Sequence, residues 1–205
     1  MKLTPAIRYH SSFASAAGVV KIRVDERAAE NDMDALSQLR GPEAVHIAPE
    51  AITSPTGIAL IAALNVELSA AYPEEGATHF RLDPADVAPG TGVFLVARTG
   101  GHPVGCGAMR CLRDPALVRE LGEGVGELKR MYVAPEVRGQ GVGRALLARL
   151  EAEARALGLA RLVLETGIRQ VEALALYRRA GFSEISAYGE YAASPATSVC
   201  LAKAL

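Results

Sequence analysis

The chain lacks most features that would commit it to a large special class of protein. Cysteine is scarce, with three residues in 205, at Cys106, Cys111 and Cys200. An odd, widely spaced set argues against a disulfide framework and fits a reduced, cytoplasmic setting. Cys106 and Cys111 have no histidines near them in metal-ligand spacing, so no metal site is expected and both read as small core residues. No apolar run is long enough to cross a bilayer, although half of the residues are hydrophobic and the mean hydropathy is +0.16. Neither charge sign is in excess, since 22 Lys and Arg stand against 23 Asp and Glu. That balance gives no global case for nucleic acid or an anionic membrane surface as partner. A chain of this length suits one domain with a core of useful size.

The first 44 residues read as an N-terminal extension, partly disordered or with one short helix near 32–40. Lys2, Arg8, Lys21 and Arg23 carry its early charge, and an acid-rich stretch follows from Asp25. Arg8 and His10 interrupt any apolar core, so a secretory signal is a poor reading, while a transit peptide stays open on composition. Gly41-Pro42 marks a boundary, and residues 45–205 form the domain.

What the chain does have is centred on 127–157. Leu128, Met131 and Val133 give a strand its apolar and β-branched content, and Pro135 stops it. Val142, Leu146, Leu150, Ala154 and Leu157 then fall on one stripe of a helix, with Arg144, Arg149, Glu151, Glu153 and Arg155 over the rest. Between them lies Arg138-Gly139-Gln140-Gly141-Val142-Gly143. Its glycines let the backbone turn sharply and let a ligand approach the main chain. The first N–H groups of the helix lack intrahelical partners, and the dipole adds positive charge there. Such an end suits phosphate, with Arg138 and Arg144 adding full charges.

The remaining elements follow from periodicity and turn chemistry. A short strand over 45–52 leads to a helix that Ser54 caps and Pro55 begins. Ile58, Ile61, Ala62, Leu64, Val66 and Leu68 are dense enough that most of this helix is expected to be buried, and Tyr72-Pro73 ends it. Strands over 92–98 and 104–112 flank a hairpin turn that holds His102, expected at the surface. Residues 114–123 connect to the central strand. Gly158 caps the central helix. A strand over 161–166, a helix over 171–180 and two strands over 183–188 and 196–203 complete the chain. On the second helix Gln170, Ala173 or Leu174, and Tyr177 share a face by their spacing.

Arg138-x-x-Gly141-x-Gly143 between strand and helix resembles the acyl-CoA pyrophosphate loop of the GNAT superfamily of N-acetyltransferases. Gln170-x-x-Ala173-x-x-x-Tyr177-x-x-x-Gly181-Phe182 is similar to a second pattern of that family, with Gln where the family has Asn. The element order agrees over roughly Val45 to Leu205, best from Val93. Around Lys129-Arg-Met-Tyr-Val, Leu164-Glu-Thr-Gly and the tail near Tyr191, the chain most resembles a bacterial subgroup often described as YsnE-like. The resemblance implies an α/β (α+β) fold, a mixed, mostly antiparallel central sheet of about six or seven strands flanked by about four helices. It implies acetyl-CoA as co-substrate and transfer of an acetyl group to a primary amine by direct attack in a ternary complex. The expected acceptor is a small molecule or amino-acid derivative, with a protein N-terminus or lysine as the alternative.

By the same resemblance, Met131, Tyr132 and Val133 meet the thioester end and supply a main-chain donor to its carbonyl. Residues Arg138, Gly139, Gln140, Gly141, Val142, Gly143 and Arg144 hold the pyrophosphate, and Gln170 and Ala173 meet the pantetheine. Tyr177 is the expected acid for the departing thiolate, and Glu127, through a water, the expected base. Glu67, Tyr72, Glu74, Glu75, Arg81, Lys129, Glu165 and Thr166 are expected near the acceptor, and Lys129 and Arg130 are also suited to an acidic one. Many members pair as homodimers, which leaves that state open. A non-catalytic acyl-CoA sensor uses the same loop. A dinucleotide fingerprint fits less well, because Arg144 stands where a third glycine belongs and residues 134–138 intervene between strand and loop.

Overall fold

The computed structural model describes residues 44–73, 82–193 and 196–205. The expected extension, apart from its last residue, lies outside the described residues, as do Glu74, Glu75 and Arg81.

Local signals set most element boundaries. Strand β1 (His46–Pro49) leads to helix α1 (Pro55–Ala71), whose first turn is capped by Ser54 accepting the Gly57 N–H at 2.9 Å. Strands β2 (Gly92–Thr99) and β3 (His102–Cys111) form a hairpin whose turn residues, Gly100 and Gly101, have φ of 54° and 82°. Positive φ at both central positions matches the right-handed strand twist and favours glycine. His102 is exposed at the start of β3, as expected. Helix α2 (Pro115–Leu121), with Asp114 as its cap, precedes the central strand β4 (Val125–Val133). Helix α3 (Val142–Ala156), strand β5 (Arg161–Gly167), helix α4 (Val171–Arg179) and strands β6 (Ser183–Ile185) and β7 (Ser198–Ala204) follow.

The seven strands make one mixed sheet in the order β1-β2-β3-β4-β5-β7-β6. Every neighbouring pair is antiparallel except β4 and β5, which run parallel with α3 as the crossover between them. The expected fold class is therefore the observed one, with four α-helices among the described residues. On one face, Leu146, Leu147, Leu150 and Ala154 of α3 and Leu174 and Tyr177 of α4 pack onto Leu128, Leu162 and Leu164. Burying a leucine there contributes roughly 1.5–3 kcal/mol. On the other face, α1 brings Leu60 and Leu64 against Phe94, Val96 and Tyr132.

Four expectations need correction. Helix α1 is less buried than its composition suggested, since Ile58 and Val66 are exposed. A helix laid on a single sheet face buries one stripe, here Gly57, Leu60 and Leu64, whatever its other residues are. Leu157 is likewise partly exposed, because α3 ends at Ala156 and Gly158 turns the chain away at φ 75°. Glu151, assigned to the solvent side of α3, is buried and receives Lys203 at 2.6 Å. Strand β6 stops at Ile185, and Tyr188 turns into the interior.

Candidate active site

Strands β4 and β5 pair only from Val125↔Arg161 to Leu128↔Leu164. Beyond that point β4 continues to Val133 and β5 to Gly167 without a ladder between them. The sheet is thus open along its middle. A cavity of about 130 Å³ occupies the gap, lined by Leu128 to Met131 of β4, Glu165 to Gly167 of β5, Gln170 just before α4 and Tyr177 within it. Leu64, Leu68 and Tyr72 of α1 reach it from the opposite face, together with Tyr191. The cavity therefore joins the two faces of the sheet.

The other edge of β4 is distorted at the same level. Its register against β3 passes from Ala108↔Lys129 to Cys106↔Tyr132, so Arg130 and Met131 together oppose Gly107. This is a β-bulge, and Arg130 within it has a positive φ of 58°. Outside glycine that conformation costs roughly 1–2 kcal/mol. The Arg130 carbonyl accepts the Cys106 S–H at 3.4 Å, and burial pushes that thiol up to about 12. Bulge on one side and splay on the other leave this segment's main chain facing the cavity.

Four sequence-predicted groups surround the opening. Tyr177 lies at the cavity with its ring edge-on to Phe182, centroids 5.8 Å apart. Burial, and then the charge of Glu165, push its hydroxyl above the ordinary phenol range, so it stays protonated. Gln170 precedes α4 and accepts the Thr166 hydroxyl at 2.9 Å, while Ala173 packs into the core instead of the cavity. Tyr72 bridges from α1, accepting the Arg169 N–H at 2.7 Å. It lies so close over Gly167 that a Cβ there would collide with its hydroxyl. Met131 lines the cavity, whereas Tyr132 packs under α1 and Val133 under α3 and α4.

The glycine loop stands at the end of β4. Gly139 and Gly141 have φ of 77° and 87°, and the space where their Cβ atoms would sit is open. Gly141 begins α3 with no side-chain cap, so the helix end keeps its N–H groups for another acceptor. Gly143 differs in kind. Its Cβ would come within 3.4 Å of Leu176, so it serves close packing of α3 on α4. Arg138 donates to the Val133 carbonyl at 2.9 Å and to both carboxylate oxygens of Glu67 at 2.7 Å. The Gln140 amide turns back to the Glu136 carbonyl, and Arg144 is exposed.

Glu127 departs from the expected role. It is 1% exposed and does not line the central cavity. Tyr188 and Tyr191 donate to its Oε1 at 3.0 and 2.9 Å, and Arg110 holds its Oε2 through Nε and a terminal nitrogen, both at 2.7 Å. Its two oxygens are thus held by four donor atoms from three side chains. It borders instead a second cavity of about 470 Å³, with Tyr191 as the wall common to both. Lys129 stands between the two regions, donating to the Tyr191 hydroxyl at 2.8 Å.

This geometry agrees with what the chain is similar to. Residues 59–182 match the model of the acetyltransferase (GNAT) family. The chain belongs to that family. An Azospirillum brasilense protein named IAA acetyltransferase is 41% identical over 151 residues, 74% of this chain and 92% of that protein. A Klebsiella pneumoniae structure described as an acyl-CoA N-acyltransferase is 38% identical, with a TM-score of 0.62 over 78% of this chain and 97% of its own. An IAA acetyltransferase from Bacillus cereus, 22% identical with a TM-score of 0.54 over 79% of this chain and all of its own, shares the fold.

As a GNAT acetyltransferase the chain is an acyltransferase enzyme, and the family's acetyl-CoA fits the residues present. Open space over two left-handed glycines, an uncapped helix start and a sheet that parts beside it are what a pyrophosphate with an extended pantetheine arm requires. Three features escaped the sequence reading: the bulge at Arg130, the Arg138–Glu67 pair, and Tyr188 with Tyr191 around Glu127. Only the bulge had a sequence trace, in the small Gly105 and Gly107 on the strand opposite.

Proposed function

We propose that this GNAT enzyme transfers the acetyl group of acetyl-CoA to the primary amine of a small molecule or amino-acid derivative, by direct attack in a ternary complex. The observation that carries the reading is the cavity that runs through the sheet, with the glycine loop and Tyr177 toward one face and α1 toward the other. Two reactants that enter from opposite faces meet without either having to leave. Alignment of this kind is worth several kcal/mol of barrier in well-oriented reactions, roughly 7–11 at best. The residues Lys129-Arg-Met-Tyr-Val and Leu164-Glu-Thr-Gly support membership of the YsnE-like bacterial branch. No helix among the described residues is long and apolar enough to cross a membrane, and a cytoplasmic setting is part of the same proposal.

In the transfer the acceptor nitrogen attacks the thioester carbonyl carbon, a C–N bond forms, and the electron pair of the C–S bond leaves on sulfur. A main-chain N–H at the Arg130–Met131 bulge donates to the carbonyl oxygen as it gains charge. The proton released by nitrogen goes to Glu165, the carboxylate of the cavity wall. Tyr177 donates a hydrogen bond to the sulfur. With its proton held more tightly than a thiol's, near ~8.5, it stabilises the thiolate more than it protonates it.

The test is calorimetric titration with acetyl-CoA, then free-thiol release in the presence of a panel of primary amines. IAA is assayed beside the panel, because the Azospirillum relative's name carries it. One site per chain and release accelerated by an amine are expected. Binding without acceleration by any acceptor points to a sensor, and no binding overturns the reading of the loop.

A further inference from the structure

The tie between Arg138 and Glu67 bears on how tightly the acyl donor is held, on the reading of an acetyl-CoA enzyme given above. Helix α1 carries one charged residue in seventeen, and it is Glu67. That carboxylate is turned to the glycine loop, 71 residues away in the chain, where one terminal nitrogen of Arg138 donates to both of its oxygens at 2.7 Å. The Arg138 Nε donates at the same time to the Val133 carbonyl at 2.9 Å. The guanidinium is thus pinned to the end of β4 with its charge met by a carboxylate. It stands one residue ahead of Gly139, in the loop whose open space and uncapped helix start suit a pyrophosphate. The two side chains of the pair are 37% and 39% exposed, so water and salt weaken their attraction. A pair in this setting is readily exchanged for a partner of higher charge.

We propose that Glu67 is an internal competitor of the pyrophosphate: it yields Arg138 when acetyl-CoA binds and recovers it as CoA leaves. A carboxylate and a phosphate are alike to a guanidinium, since each accepts from the same planar fork of N–H groups. The pyrophosphate carries more negative charge and meets the N-terminal dipole of α3 as well, so the exchange runs toward the cofactor when it is present. Breaking the ion pair then lowers the net affinity. Acetyl-CoA and CoA share the pyrophosphate, so the reduction falls on donor and product equally, and a product held less tightly departs faster. Glu67 does not line the central cavity; it acts through Arg138 and touches none of the reacting atoms.

The experiment is a double-mutant cycle on affinity. Calorimetric Kd values for acetyl-CoA and for CoA are measured with the wild-type enzyme, Glu67→Gln, Arg138→Gln and the double variant. Neither side chain is buried, so the fold is not at stake. Glu67→Gln is expected to tighten both ligands about three- to fivefold, the size of an exposed ion pair. In the Arg138→Gln background the same change is expected to shift Kd by less than about 1.5-fold. An affinity that is unchanged or weaker in Glu67→Gln overturns the proposal, the weaker case making Glu67 a residue that steadies Arg138 for the phosphate. A gain of equal size in both backgrounds overturns it too, since Glu67 then acts through its field and not through Arg138. Either result leaves the acetyltransferase reading intact. No binding of acetyl-CoA by the wild-type enzyme removes that reading and this one together.

Discussion

The two ends of strand β4 sit in opposite circumstances. At Glu127 the strand is paired on both sides and the carboxylate is held by two tyrosines and an arginine. Three residues later, at Arg130, it is bulged away from β3 and parted from β5. Glu127 is a charge held on every side by protein, whereas the Arg130 segment borders the cavity between the parted strands. A buried ionisable residue is therefore weak evidence of catalysis until its partners are counted.

The largest expected effect tests the closed end. Glu127→Gln takes a buried charge away from two tyrosine hydroxyls and leaves Arg110 with only its longer contact to Asp86, at 3.4 Å; it is expected to lower stability by about 3 kcal/mol, roughly 10 °C in Tm for a chain of this size. Its kcat, measured well below the new Tm, should stay within about threefold, since Glu127 does not reach the central cavity. A large loss of kcat with an unchanged Tm would reverse the two regions' roles. Tyr177→Phe is the matching change at the open end. It should reduce kcat about 100-fold, some 2.7 kcal/mol, while the urea midpoint moves little.

Raising pH separates the ends again. Burial and the Glu127 charge push the Tyr188 and Tyr191 hydroxyls up, and burial does the same to Cys106, to about 12. In the unfolded chain these groups lose protons near ~10 for the phenols and ~8.5 for the thiol. Above that range the unfolded state binds fewer protons than the folded one, so stability falls as pH rises, by up to ~1.4 kcal/mol per unit for each group. Urea midpoints should be unaffected by these groups below pH ~8 and decline toward pH 11; a flat alkaline limb would show that the tyrosine hydroxyls are not held as described. The smallest effect belongs to the loop. Gly141→Ala forces a left-handed alanine at roughly 1 kcal/mol and should weaken acetyl-CoA binding, whereas Gly143→Ala meets the side-chain ends of Leu176 and Val133 at 3.4 and 3.6 Å.

The sequence carried the fold well because its signals are local. Ser54-Pro55, Gly100-Gly101, Gly158 and the stripe Val142, Leu146, Leu150 and Ala154 each report on a few neighbouring residues, and the structure realises each of them. The loop glycines were legible for the same reason. Glu127 was not, because its partners Tyr188 and Tyr191 lie 61 and 64 residues away and nothing near it in the chain announces them. Arg138 shows the same limit. Its spacing pointed to phosphate, while its side chain spans 71 residues to Glu67. Periodicity also could not show which outward positions of α1 stay bare, since that depends on how many layers cover the helix.

The tie between Glu127 and the two tyrosines has a meaning in time as well as in space. Closing a loop of about 60 residues costs roughly 3–4 kcal/mol of chain entropy beyond a constant, and here the closing residues lie 61 and 64 positions after Glu127. During synthesis the central strand, its arginine and its carboxylate emerge first, and Tyr188 and Tyr191 some 60 residues later. Until they arrive, the middle of the sheet holds a carboxylate with two of its donors missing. The strand that carries Glu127 is thus made well before the tyrosines that answer its charge.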